Sequence, residues 1–377
     1  MSPQYGYSVA ITQLAIFQLA SAGCSKDEDA TLLEFQPSRC WIVDKGTTLL
    51  EYVKQNSQKQ SRKKIIFAES MMENQQDWVA VDWGTTHFRI WRMHGDKALE
   101  GREASCGLLS LNREEFEPTL KEHLHGWPTE SPVLMSGMVG SRQGWQEAPY
   151  LFLPVSLKNV AIGAVDVQTK DLQRKVYVLP GVACQEESRP DVMRGEETQM
   201  LGLGAGSAEW SGMICLPGTH CKWVKVTLGQ VQKFDTYLTG ELFSILRQHS
   251  ILRHDLESGD VDAEHPAFAK GVSTGFQEST PLLTSLFRVR ATSLLLDRDP
   301  VANLAFLSGR LLGEELRSAT QNIEKTEKIQ LVGGSSLTKL YARALSLVGR
   351  EVDLHSGDDL VRLGLTAAWQ FLYPQTE

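Results

Sequence analysis

Twice in this chain an apolar strand runs into a glycine-threonine turn and comes back as a second strand, and this recurrence narrows the possible folds more than any other feature. The first copy spans residues 78–93: WVAVDW, the turn at Gly84, Thr85 and Thr86, then HFRIWRM. The second spans residues 213–226, turning at Gly218, Thr219 and His220, and residues 230–238 extend it by a further strand. Asp82 and Gly218 stand 136 residues apart, roughly one domain's length. The spacing predicts a duplicated architecture. With 377 residues, 42% of them apolar, the chain can fill two cores, because single cores stop growing near about 250–300 residues.

The turn residues have a physical use. An aspartate at a strand end, here Asp82, can hold Mg2+ through water, and Gly84 lets backbone approach phosphate oxygens. The hydroxyls and amides of Thr85 and Thr86 donate to those oxygens. Alone, such a motif is equally an ordinary hairpin with a polar turn. A third element, residues 329–337 (IQLVGGSSL), reads as a buried strand, paired glycines and a helix start over residues 336–348. Glycines there clear space for a flat nucleotide, and the helix N-terminus favours an anion.

In order and spacing, DWGTT, LPGTH and LVGGSSL resemble the phosphate 1, phosphate 2 and adenosine motifs of the actin, sugar kinase and Hsp70 superfamily. Four more segments, MSGMVGSRQGW (135–145), MRGEETQ (193–199), YLTGELF (237–243) and LSGRLLGEEL (307–316), resemble the 2-dehydro-3-deoxygalactonokinase family. The similarity runs over residues 78–373. It implies an α/β fold of two ribonuclease H-like, actin-like ATPase lobes with an ATP cleft between them. Residues 78–205 would form the lobe with phosphate 1 and the sugar-acid site, and residues 206–377 the lobe with phosphate 2 and the adenosine motif. Residues 1–77 have no counterpart in the family pattern. The resemblance further implies ATP-dependent phosphorylation of the 6-hydroxyl of 2-dehydro-3-deoxygalactonate in galactonate catabolism, with ATP and Mg2+ as cofactors, in the cytoplasm. Other readings stay open: another sugar, polyol or sugar-acid kinase of this fold, an actin-like nucleotide switch, or a phosphatase acting on guanosine polyphosphates.

Phosphoryl transfer requires a positioned γ-phosphate, neutralised charge and an oriented hydroxyl. Asp82 is therefore assigned to Mg2+. Gly84, Thr85 and Thr86 are assigned to phosphates from one lobe, and Gly218, Thr219 and His220 from the other. Gly333, Gly334 and Ser335 would line the adenosine, helped by turns at Gly240 and Gly309. Superfamily kinases place a carboxylate base shortly before the second hairpin, which points to Glu196, with Glu197 and Asp191 unranked behind it; the alternative reading has one of these cap the helix starting near Gly195. The substrate's carboxylate calls for an arginine fork, and Arg142 and Arg194 are the candidates. Arg89 is expected to face phosphate or Asp82. Trp145 could stack on the sugar or sit in the core. Lys222 reads as a weak phosphate candidate or an exposed strand lysine.

The net charge of −8 gives no electrostatic reason to hold nucleic acid or an anionic membrane, so a small-molecule partner is expected, with a homodimer left open. The six cysteines form no CxxC pair, and reduced, buried thiols are expected without a protein metal site. Residues 8–24 loosely resemble a lipoprotein signal, but the leader carries no Lys or Arg, and the apolar stretch is too short to span a bilayer. Residues 55–64 (QNSQKQSRKK) read as a solvated linker. The copy WIVDKGTT at residues 41–48 lacks a following strand and is read as a decoy.

Overall fold

A computed structural model describes residues 77–204, 209–277 and 280–373. The leader, the linker and the WIVDKGTT copy lie outside the described residues.

The first half opens with a meander of β1 (Asp77–Trp83), β2 (Phe88–His94) and β3 (Lys97–Ala104), followed by α1 (Phe116–His123) and β4 (Val133–Gly137). β5 (Tyr150–Phe152), β6 (Val155–Ser156), α2 (Leu157–Ile162), β7 (Val165–Asp166) and β8 (Val176–Val178) come next. β9 (Gly181–Cys184), β10 (Asp191–Met193) and α3 (Glu196–Gly204) complete it. The second half repeats the meander as β11 (Gly212–Leu216), β12 (Cys221–Thr227) and β13 (Gln230–Tyr237). A helical stretch follows: α4 (Thr239–His249), α5 (Pro266–Phe276), α6 (Leu282–Leu296) and α7 (Pro300–Ala319). β14 (Ile329–Gly333), α8 (Ser335–Leu347), β15 (Val352–Ser356) and α9 (Gly357–Leu372) end it.

The two main sheets share one plan. In the first, ordered β3-β2-β1-β4-β8-β7, an antiparallel hairpin pair leads to β1, which then pairs in parallel with β4. In the second, ordered β15-β14-β11-β12-β13-β6, β11 holds the same place between antiparallel β12 and parallel β14. This is the ribonuclease H-like lobe used twice, and the fold is the actin-like α/β architecture expected. β1 is buried at six of its seven positions because sheet neighbours and helices cover it on all sides, as central strands with parallel partners require.

One core joins both sheets: Trp78, Ala80 and Leu134 from the first and Ile214, Leu216 and Val224 from the second meet Leu365, Ala368 and Trp369 of α9. Trp78 stacks on Trp369 with ring centroids 4.8 Å apart. The chain therefore does not part cleanly at residues 205/206: β6 pairs with β13 in the second sheet, and α9 packs on α3, β1 and β4 of the first half.

Candidate active site

The first turn is held from beneath. The carbonyls of Gly84, Thr85 and Thr86 accept hydrogen bonds from the N–H groups of Leu108 (3.1 Å), Leu109 (3.0 Å) and Gly107 (3.2 Å). A Cβ on Gly107 would lie 2.4 Å from the Thr85 oxygen, so only glycine lets the two segments approach this closely. With the carbonyls drawn inward, the N–H groups of Thr85 and Thr86 have no backbone acceptor among the described residues and are available to an anion. Asp82, next to last in β1, is buried and faces Arg89 across the hairpin register, with Arg89 Nη2 2.8 Å from its Oδ2. Arg89 Nη1 also bonds Asp358 at the start of α9. Burial pushes the Asp82 carboxyl above its usual range, and Asp358 adds to the rise while Arg89 opposes it.

The second turn repeats the device. The Glu241 N–H donates to the Thr219 carbonyl at 2.9 Å, and a Cβ on Gly240 would stand 2.3 Å from the Gly218 oxygen. Gly107 and Gly240 each lie three residues past the last strand of their meander. His220 Nε2 is 2.6 Å from Glu241 Oε2 at the cleft mouth. Below the turn, Glu315 is buried and accepts from Trp223 Nε1 at 2.7 Å and the Tyr341 hydroxyl at 2.9 Å. Cys215 and Cys221 flank the turn as free, buried thiols with sulfurs 3.8 Å apart, close to Glu315. Burial pushes both thiols up, away from thiolate reactivity.

Between the turns lies a cleft of about 450 Å³. Gly333 and Gly334 line its far side, with Ser335 opening α8 just beyond; a Cβ on Gly334 would meet nothing within 4 Å, so this wall is open. The near wall is the start of α3. Gly137 and Gly195 both hold positive φ, 94° and 108°, a conformation that glycine alone adopts freely, and they bring the β4 end against the α3 start.

Here the two adjacent glutamates part company. Glu196 lines the cleft, its Oε2 accepting the Arg194 N–H at 3.0 Å. Burial raises its pKa, with Lys222 the largest opposing influence. Glu197 is fully buried, both oxygens 2.8 Å from the Gly195 N–H. Burial, then the neighbouring Glu196, pushes it up to about 8. Helix geometry makes this split, since successive side chains on a helix diverge. Arg194, only 9% exposed, donates Nη2 to the Ala148 carbonyl at 2.8 Å and stacks over Tyr150 at 4.4 Å. Its Nε and Nη1 are buried without a partner among the described residues, and the residue lines the cleft.

Other expected residues fall elsewhere. Arg142 is exposed and outside the cleft lining; its carbonyl accepts from Arg113 at 2.5 Å. Trp145 packs on the first-sheet core. Asp191 is tied to β13, accepting from the Thr236 N–H at 2.8 Å and its hydroxyl at 2.7 Å. Gly240 and Gly309 are not turns. Gly240 sits in the first turn of α4, and Gly309 lies within α7, where a Cβ would be 2.2 Å from the Phe268 oxygen of α5. Gly271 and Gly275 of α5 meet Gly309 and Gly313 of α7 in the same way, so backbone contact between helices explains this glycine. Lys222 is buried, 5% exposed, rather than an open strand lysine. Asp358, Gln199 and Gly107 went unforeseen. Asp358 and Gln199 line the cleft, and the one local signal for Asp358 was an acidic pair after Ser356, which reads as a helix cap.

A cleft between two ribonuclease H-like lobes, gripped from each side by a glycine-threonine turn, defines an actin-like nucleotide-dependent phosphotransferase. The chain belongs to the 2-keto-3-deoxy-galactonokinase family, whose model matches residues 82–368. It is 38% identical over 301 residues to the Rhizobium meliloti (strain 1021) protein named probable 2-dehydro-3-deoxygalactonokinase DgoK1, covering 79% of this chain and 98% of that one. It is 36% identical over 292 residues to the 2-dehydro-3-deoxygalactonokinase of Escherichia coli (strain K12), covering 76% and 96%. A crystal structure from Sinorhizobium meliloti, named as a candidate 2-dehydro-3-deoxygalactonokinase, superposes with a TM-score of 0.75 at 37% identity, over 79% of this chain and 99% of that one. Among the described residues no helix is long and apolar enough to cross a membrane.

Proposed function

We propose that the chain transfers the γ-phosphoryl group of ATP to the 6-hydroxyl of 2-dehydro-3-deoxy-D-galactonate, giving 2-dehydro-3-deoxy-6-phosphogalactonate, in the cytoplasm. The observation that carries this reading is that Arg194 and Glu196 line one cleft wall, Arg194 with two buried guanidinium nitrogens that have no hydrogen-bond partner among the described residues. Unpaired buried guanidinium nitrogens are costly. An anionic ligand relieves that cost, and the carboxylate of a sugar acid suits the fork.

Glu196 acts as the base. Burial lifts its pKa toward the range in which a carboxylate accepts a proton usefully, while Lys222 keeps it ionisable. The Thr85, Thr86, Gly218 and Thr219 amides hold the phosphate oxygens. Mg2+ suits the hard carboxylate oxygens of Asp82, which turn into the same cleft, and when bound it neutralises charge on the transferring phosphoryl group. Gly333, Gly334 and Ser335 leave room for the adenosine.

The test is ATP consumption by the purified chain with and without 2-dehydro-3-deoxygalactonate, its gluconate epimer serving as comparison. Strong stimulation is expected, and substrate-independent turnover would instead favour a nucleotide switch. Glu196→Gln should lower kcat by roughly 10²–10⁴-fold with ATP affinity kept; near-normal turnover would remove it as the base.

A further inference from the structure

Asp358 has no role in the reading above, yet it stands on the cleft wall with Asp82, Gly84 and Gly218. It sits in the first turn of α9, after the Ser356 cap whose hydroxyl accepts the Asp359 N–H at 3.4 Å. Its side chain is 72% exposed, so folding does not demand a carboxylate there. One guanidinium nonetheless joins it to Asp82: Arg89 gives Nη2 to Asp82 Oδ2 and Nη1 to Asp358 Oδ1. The rigid fork fixes the separation of the two carboxylates. Each spends one oxygen on Arg89 and keeps the other, Asp82 Oδ1 and Asp358 Oδ2, without a hydrogen-bond partner among the described residues.

Two carboxylates joined by one guanidinium fork repel each other. Arg89 offsets one negative charge of the pair and leaves one. A net negative pair of hard oxygens facing a phosphate-binding cleft is suited to the hydration shell of a divalent cation, which magnesium sheds reluctantly.

We propose that Asp358 is the second carboxylate facing the nucleotide-bound divalent cation, with Arg89 as the residue that positions it against Asp82. This rests on the cleft between the two turns being the ATP site. It assigns to the end of α9, the helix that packs on both sheets, a direct part in holding the cation. Arg89 is then a positioning residue whose work is electrostatic and geometric, and it need not touch phosphate.

The experiment measures Mn2+ binding to the full chain by electron paramagnetic resonance, with ADP present, for the wild type, Asp358→Asn, Asp358→Ser and Asp359→Asn. Both Asp358 variants should bind Mn2+ roughly tenfold more weakly, the scale seen when outer-shell partners of a metal are removed. Their metal-free ADP affinity should be unchanged or slightly tighter. Asp359→Asn removes the same helix-end charge and should stay within about twofold, since charges at a helix start contribute modestly. Equal Mn2+ binding by the wild type and both Asp358 variants, or equal weakening by Asp359→Asn, would overturn the proposal alone. No Mn2+-ADP binding by the wild type would overturn the ATP-site reading together with it.

Discussion

The two glycine-threonine turns share a skeleton and differ in charge. Each rests on a glycine three residues past its meander, Gly107 under the first and Gly240 under the second, and in each the first threonine's carbonyl accepts a backbone N–H from the following segment. Across the hairpin, however, the first turn carries the pair Asp82 and Arg89, whereas the second carries Leu216 and Lys222. The shape of the turn is thus kept in both hairpins, while the carboxylate-guanidinium pair occurs only across the first. Duplication preserves what backbone geometry supplies, and side chains are then free to divide the chemistry.

The sharpest way to break that comparison is at the charged pair. Asp82→Asn should lower kcat by about 10²-fold or more, the scale of losing one well-placed electrostatic group, measured by steady-state kinetics at saturating ATP. A loss under tenfold would mean that the first turn is no more specialised than the second. Next comes the shared skeleton. Gly107→Ala and Gly240→Ala each push a Cβ against backbone oxygen, so both should weaken ATP binding about tenfold and cost about 1–3 kcal/mol in urea unfolding. Unequal outcomes would show that the two supports are not equivalent.

Lys222→Met should be milder in rate and specific in pH. Lys222 lowers the Glu196 pKa, so removing it should move the acid limb of kcat/KM to higher pH, with less than a tenfold change in kcat on the plateau. An unmoved limb would detach Lys222 from the base.

The smallest effect contrasts two buried carboxylates, Glu197 on the first-turn side and Glu315 under the second. A carboxyl whose folded pKa is raised contributes stability that is complete below its unfolded value and lost as pH rises through the folded value. For Glu197 that window runs from the ordinary glutamate value of 4.5 up to about 8. Melting temperature should fall across it by a few degrees, and Glu197→Gln should flatten the decline. Glu315, with donors on both oxygens, should give the smaller slope change when replaced by Gln.

Strand order, both turns and the glycine-rich third motif were legible because they depend on local backbone properties: period-two apolar alternation and glycine at tight bends. The helix start at Glu196 was legible for the same reason. What separates Glu196, the expected base, from Glu197 was not legible, because adjacent carboxylates differ only in which way a helix surface turns them once it is packed. Arg142 and Arg194 were indistinguishable as residue types; burial beside Tyr150 and Ala148 separated them. Gly309 looked like a turn because glycine serves close helix packing as readily as it serves bends.

By itself, then, the sequence determined the duplicated lobe, the nucleotide cradle and the family, since each is written in residues near one another along the chain. Tertiary structure alone decided that Asp191 belongs to β13, that Lys222 lies buried, and that Asp358 meets Arg89 across 269 residues of chain. Those contacts depend on which distant segments the shared core brings together, and burial and charge at a site are properties of that assembly.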